Sequence, residues 1–132
     1  MNRADKAQKM REKGYNCAQA VLCAFADDVN ISEDELFRIS EAFGGGMGGT
    51  QGVCGAVSSM VAIVGLLVSR GIDALPVSNK KESYSAAAAL MREFEEMNGT
   101  VICARLKSES RRSCDGCVED AVRIVEKAFG LA

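Results

Sequence analysis

Histidine is missing from this chain altogether. That absence removes the Ser-His-Asp triad, the Cys-His pair of cysteine proteases, imidazole metal ligands and haem attachment through Cys-x-x-Cys-His. Proline occurs once, at Pro76, and aromatic residues are few, so little in the composition opposes helix. An excess of either charge is missing too. Lys+Arg 16 against Asp+Glu 18 leaves −2, which gives no electrostatic footprint for nucleic acid. No apolar run reaches the length of a bilayer span. The best, over residues 53–68, carries Ser58 and Ser59 and reads as a buried core helix. Residues 1–13 are charged throughout, which argues against a secretory signal peptide and for a cytoplasmic protein.

What is present is one domain's worth of chain, 132 residues, rich in Ala, Leu, Met, Glu and Lys. No segment alternates cleanly as a strand would. Helical spacing and end signals predict helices over 3–13, stopped by Gly14, and 17–27, capped by Asn16 and facing inward with Cys17, Ala20, Val21, Ala24 and Phe25. Ser32 with Glu35 opens a third to about residue 43, packing Leu36, Phe37, Ile39 and Phe43. A fourth, 53–69, stopped by Gly71, is apolar nearly all round and should be the central, surrounded helix. Ser78 opens a fifth to Asn98, with Tyr84, Ala87, Leu90, Met91, Phe94 and Met97 as its stripe. A short helix capped by Thr100 and a last one over 115–129 follow, the latter facing inward with Cys117, Ala121, Ile124 and Ala128. The expectation is an all-α, single-domain bundle of about five to six helices around the 53–69 helix.

The glycine-rich loop 44–52 empties into that central helix, with Cys54 at the junction. Of the six cysteines, Cys17, Cys54, Cys103 and Cys117 are each predicted in the first turn of a helix, where unpaired N–H groups and the dipole favour a thiolate. Arg105, Arg111 and Arg112 lie near Cys103 and Cys114 and push the same way. A single free cysteine more often just fills space, but four in such positions suggest a shared demand for thiolates. Cys23 lies about 120° round its helix from Cys17 and keeps the packing role. Cys114 and Cys117 form a C-x-x-C pair, suited to thiol–disulfide exchange or to half of a metal site.

Gly44, Gly46 and Gly49 satisfy G-x-G-x-x-G, yet a helix precedes the loop and no βαβ unit is present. A phosphate loop's Gly-Lys-Ser/Thr ending is missing as well. Either the loop is a tight connection, or its N–H groups donate to sulfur or a cofactor. On the second view Gly46, Gly48, Gly49, Gly52 and Gly55 are cofactor-binding candidates. Glu93, Glu95 and Glu96 lack a Glu-x-x-His partner and read as a solvated face.

Cys17 within Asn-Cys-Ala-Gln-Ala-Val, the glycine loop running into Cys54-Gly55-Ala56, then Cys103 and Cys117, resemble the C_GCAxxG_C_C family of putative redox-active proteins. The likeness covers about residues 16–129. Two positions depart from the pattern: Ser59 stands where glycine is expected, and Val53 where glycine often precedes the cysteine. The resemblance implies a small cytoplasmic protein of presumed redox function, often encoded near transporter genes.

The candidate site is therefore Cys17, Cys54, Cys103 and Cys117 beside the glycine loop, with Cys114 as a fifth ligand or resolving thiol. It would work by reversible dithiol–disulfide chemistry with an unknown redox partner, or by holding an iron–sulfur cluster on those four cysteines. The alternative is a zinc site on the same four thiolates, in a structural module that docks on a transporter or an enzyme. A third reading is a helical homodimer whose cysteines only pack.

Overall fold

The computed structural model of the chain describes residues 1–131, and among them the architecture is all-α. Eight helices run as α1 (Arg3–Glu12), α2 (Cys17–Cys23), α3 (Ala26–Val29), α4 (Glu33–Glu41), α5 (Gly55–Val68), α6 (Lys80–Asn98), α7 (Cys103–Ser108) and α8 (Cys114–Phe129). A 3₁₀ turn lies at Ile72–Ala74. Several start and stop signals act as expected. The Asn16 side chain accepts from Gln19 N–H while the Gln19 side chain accepts from Asn16 N–H, both at 2.9 Å, which closes a capping box. Ser32 Oγ takes the Glu35 N–H at 3.1 Å. Gly99 ends α6 in the left-handed region, at φ +83°.

The count exceeds five to six partly because the helix expected over 17–27 breaks. Phe25 N–H bonds the Leu22 carbonyl at 3.2 Å, a tightened turn, and the chain bends there. The bend buries Phe25 completely and brings Asp28 to Arg3, at 2.9 and 2.7 Å. The Arg3 guanidinium also lies over the Phe25 ring, 5.4 Å from its centroid. Tertiary contact outweighs local periodicity here. At the other end of the core, α5 stops at Val68, not at Gly71. Asn79 Nδ2 donates to the Val68 carbonyl at 2.8 Å and Asn79 Oδ1 accepts from Arg70 N–H at 3.0 Å. Asn79, not Ser78, also occupies the N-cap position of α6.

α5 packs against α2, α6 and α8, and Leu22, Phe25, Met60, Ile63, Phe94 and Val122 are among the side chains shut from water between them. It is central but not surrounded: Leu66 is exposed, and Val61 and Ala62 are only half-buried. Ile39, Tyr84, Met97 and Ala128, expected inward, face water instead. Among the described residues no helix is long and apolar enough to cross a membrane.

Candidate functional site

Two short segments hold the site together from below. Residues 51–54 and 101–104 run antiparallel, bridged at Val53 and Ile102. Cys54 N–H donates to the Val101 carbonyl at 2.8 Å, and Cys103 N–H to the Gly52 carbonyl at 2.7 Å. In such a pair alternate residues share a face, so Cys54 and Cys103 lie diagonally on one side of the ladder. α5 starts directly after Cys54 and α7 starts at Cys103. The same ladder therefore fixes where both helices begin.

Glycine lets the other elements close in. A Cβ on Gly55 would sit 3.0 Å from Cys17 Sγ, 3.0 Å from the Phe43 carbonyl oxygen and 3.1 Å from Ala18 Cβ. One turn on, Ser59 Oγ donates to the Ala18 carbonyl at 2.6 Å, fully buried. The first turns of α2 and α5 thus touch, and the hydroxyl of Ser59 binds the facing backbone where the pattern has glycine. At α8, Ser113 Oγ accepts from Gly116 N–H at 3.0 Å. Gly116, with no side chain, leaves room for Arg112 to fold across that turn and grip Asp120 at 3.0 and 3.1 Å. Asn98 Nδ2 holds the same carboxylate at 3.2 Å.

The result is a pocket of about 200 Å³ whose wall includes Cys17, Cys54, Cys103, Cys114 and Cys117 together with Arg11, Lys107 and Arg112. Cys54, Cys103 and Cys117 are buried, while Cys17 and Cys114 are partly open to water. Cys54 and Cys117 act as a pair. A hydrogen bond from Cys117 is the largest influence on Cys54 and lowers its pKa to about 7, against the resistance of burial. The Cys54 side chain makes no strict capping bond, yet the Ala56 and Val57 N–H groups at the start of α5 lie close enough to help, as does Lys107. Cys117 is pushed the other way, first by its bond to Cys54, then by burial and the charges of Cys54, Cys114 and Asp120. The two titrate together: the contact favours the thiolate at Cys54 and holds the proton on Cys117. Cys17 is raised, chiefly by burial.

Comparison with known proteins adds the family. The profile described as "Putative redox-active protein (C_GCAxxG_C_C)" matches residues 15–128. The chain belongs to the C_GCAxxG_C_C family. It is also 29% identical, over 94% of its length and 93% of the relative's, to a protein of Archaeoglobus fulgidus described as uncharacterized. No solved structure matches it.

All four cysteines matched to the C_GCAxxG_C_C pattern line the pocket, as does Cys114, while Cys23 does not. Cys23 is buried under α4, its thiol directed to the Glu33 carbonyl at 3.6 Å, and burial followed by the charge of Glu33 raises it to about 12. The helix-start expectation needs correction at two positions. Cys54 stands at the N-cap just before α5, and Cys114, not Cys117, opens α8.

The glycines differ from expectation more. The N–H groups of Gly48, Gly49 and Gly52 donate to the carbonyls of Ala42, Gly44 and Gly46, at 2.7, 3.1 and 2.8 Å, so they are spent inside the loop. Of the five named glycines only Gly55 forms pocket wall. Gly46 packs from behind, where a Cβ would come 2.8 Å from Cys103 Cβ. Gly46 and Gly55 shape the site by close backbone approach, and Gly45 joins Gly55 in its wall.

Of the three arginines expected to help, Arg112 reaches the pocket, whereas Arg105 and Arg111 pair with Glu109 at 2.9 and 2.7 Å. Sequence reasoning missed Arg11 and Lys107. Lys107 lies four residues after Cys103 on α7, a spacing that shares a helix face, so it could have been found. Arg11 comes from α1 and carries no local signal. Glu93 pairs with Lys127 at 3.1 Å, while Glu95 and Glu96 are exposed.

The metal expectation meets the geometry least well. Among the described residues no three cysteine or carboxylate side chains gather around one point as an ion's ligands must. Five thiols nonetheless share one pocket wall.

Proposed function

We propose that this protein carries out thiol–disulfide exchange, with Cys54 as the attacking thiolate and Cys117 as the resolving thiol. The observation that carries this is that Cys54 and Cys117 stand against each other in the wall of one pocket at the start of α5, Cys54 pulled toward the thiolate and Cys117 toward the thiol. A thiolate with a pKa near ambient pH combines ionisation with retained nucleophilicity.

The chemistry balances with one external disulfide. The Cys54 thiolate attacks a sulfur of the substrate disulfide; that S–S bond breaks and the far sulfur leaves as a thiolate. Cys54 is now neutral, which removes the largest cause of the raised Cys117 pKa. Cys117 gives its proton to the departing thiolate and attacks Cys54. The second substrate sulfur leaves as a thiolate, and a Cys54–Cys117 disulfide remains. Two electrons have passed to the substrate, and a partner's dithiol returns them by the reverse exchange.

The test is disulfide mapping by mass spectrometry after titration with a small disulfide. A Cys54–Cys117 crosslink is expected in wild type. In Cys117→Ser, Cys54 should accumulate as a mixed disulfide with the reagent. Oxidation that never links Cys54, or six thiols that react alike, would overturn the proposal.

A further inference from the structure

Three basic side chains, Arg11, Lys107 and Arg112, stand in the wall of the cysteine pocket, and no carboxylate does. Two of them are already engaged: Arg11 with Asp115 at 3.0 Å and Arg112 with Asp120. Both partners lie outside the wall. Lys107 makes no ion pair among the described residues, and its charge reaches Cys54. A concave site lined by one sign of charge concentrates ligands of the other sign. The volume, about 200 Å³, is below the roughly 300 Å³ at which drug-sized sites begin. It suits a small molecule or one narrow end of a larger one.

We infer that the pocket selects low-molecular-weight thiols or disulfides bearing an anionic group, a carboxylate or sulfonate, and that Lys107 is the residue that sets this preference. The inference rests on the proposed role of Cys54. Lys107 does not touch the reacting sulfur bond; it draws in the anion and orients it beside Cys54. Arg11 and Arg112 are each largely offset by an aspartate, so Lys107 is the wall cation left to meet the ligand.

Two alkylating reagents of nearly equal size separate charge from reactivity. Iodoacetate is anionic and iodoacetamide is neutral, and both form a thioether at the thiolate sulfur with iodide leaving. The rate of each at Cys54, followed by mass spectrometry, gives a ratio from which the thiolate fraction cancels. Normalised to free cysteine, the iodoacetate/iodoacetamide ratio should exceed one in wild type. It should fall roughly three- to ten-fold in Lys107→Glu at low salt, and less in Lys107→Met. High salt should bring the wild-type ratio toward that of free cysteine. Lys107 is exposed, so both variants should keep the wild-type circular dichroism. A normalised ratio at or below one, or one that Lys107→Glu leaves unchanged while Cys54 stays reactive, would overturn this inference alone. Failure of both reagents to modify Cys54 would overturn the exchange reading and this inference with it.

Discussion

At the scale of single residues, the decisive asymmetry is between two neighbouring sulfurs whose pKa values are pushed apart. Cys54 has a donor thiol on one side and the opening N–H groups of α5 on the other; Cys117 has burial and negative neighbours. The consequence is a definite pH profile. Alkylation of Cys54 should rise with a midpoint near pH 7 rather than near the ordinary thiol value of about 8.5, measured by iodoacetamide labelling at each pH. Stability follows with opposite signs in two windows. Between about pH 7 and the unfolded thiol value, the unfolded chain holds the Cys54 proton that the native chain has lost, so stability climbs with pH. Above that value the unfolded chain loses protons from Cys17, Cys23 and Cys117 that the native chain retains, so stability falls. Denaturant midpoints against pH should therefore peak in the mildly alkaline range; Cys54→Ser should abolish the rising limb and, by removing the chief cause of the raised Cys117 pKa, also flatten the falling one. A rising limb that survives in Cys54→Ser would assign the low-pKa thiol elsewhere.

At the scale of elements, the glycine loop and the ladder beneath it decide whether the sulfurs meet. Gly46 and Gly48 have similar left-handed φ values, +73° and +62°, yet different surroundings. A Cβ at Gly46 would lie 2.7 Å from Gly52 N and 2.8 Å from Cys103 Cβ, whereas at Gly48 it would meet nothing within 4 Å. Gly48→Ala should cost about 1 kcal/mol, the backbone strain alone, and Gly46→Ala about 2–4 kcal/mol, strain plus overpacking. Urea unfolding of the pair of variants measures the difference, and equal losses would mean that the loop does not press on Cys103. These same elements show what the sequence made legible. Asn16, Ser32 and Gly99 mark helix ends through bonds made within a few residues, and such signals survive in one dimension. The break at Phe25, with Asp28 reaching Arg3, and the placing of Arg11 by Asp115 depend on partners far along the chain, and the Asn79 bridge closes across the whole connection from α5 to α6. Nothing local announces them.

At the scale of the whole molecule, the pocket is where the starts of α2, α5, α7 and α8 converge, so its chemistry is tied to how those helices are held. In the sequence the four pattern cysteines could be grouped by their helix-start positions and by a family likeness, neither of which says why they meet; the fold supplies the cause, since Gly55 admits α2, the 51–54 and 101–104 ladder binds α5 to α7, and Arg112 anchors α8. A Cys54–Cys117 disulfide would tie the start of α5 to the first turn of α8 and enclose α5, α6 and α7 in one covalent loop. Closing a long loop restricts the unfolded chain and is worth about 2–4 kcal/mol. Oxidation also removes the thiolate from the start of α5, where such a charge contributes about 0.3–1 kcal/mol. The first effect exceeds the second, so the oxidised protein should be the more stable form. For a chain of this length that margin corresponds to a Tm higher by roughly 5–15 °C, read by calorimetry on fully reduced and fully oxidised samples. Cys54→Ala should unfold at the same temperature in both states. A reduced form that melts at or above the oxidised one would mean that the bundle must distort to join these two sulfurs, and the pair would then not cycle as a dithiol within an intact fold.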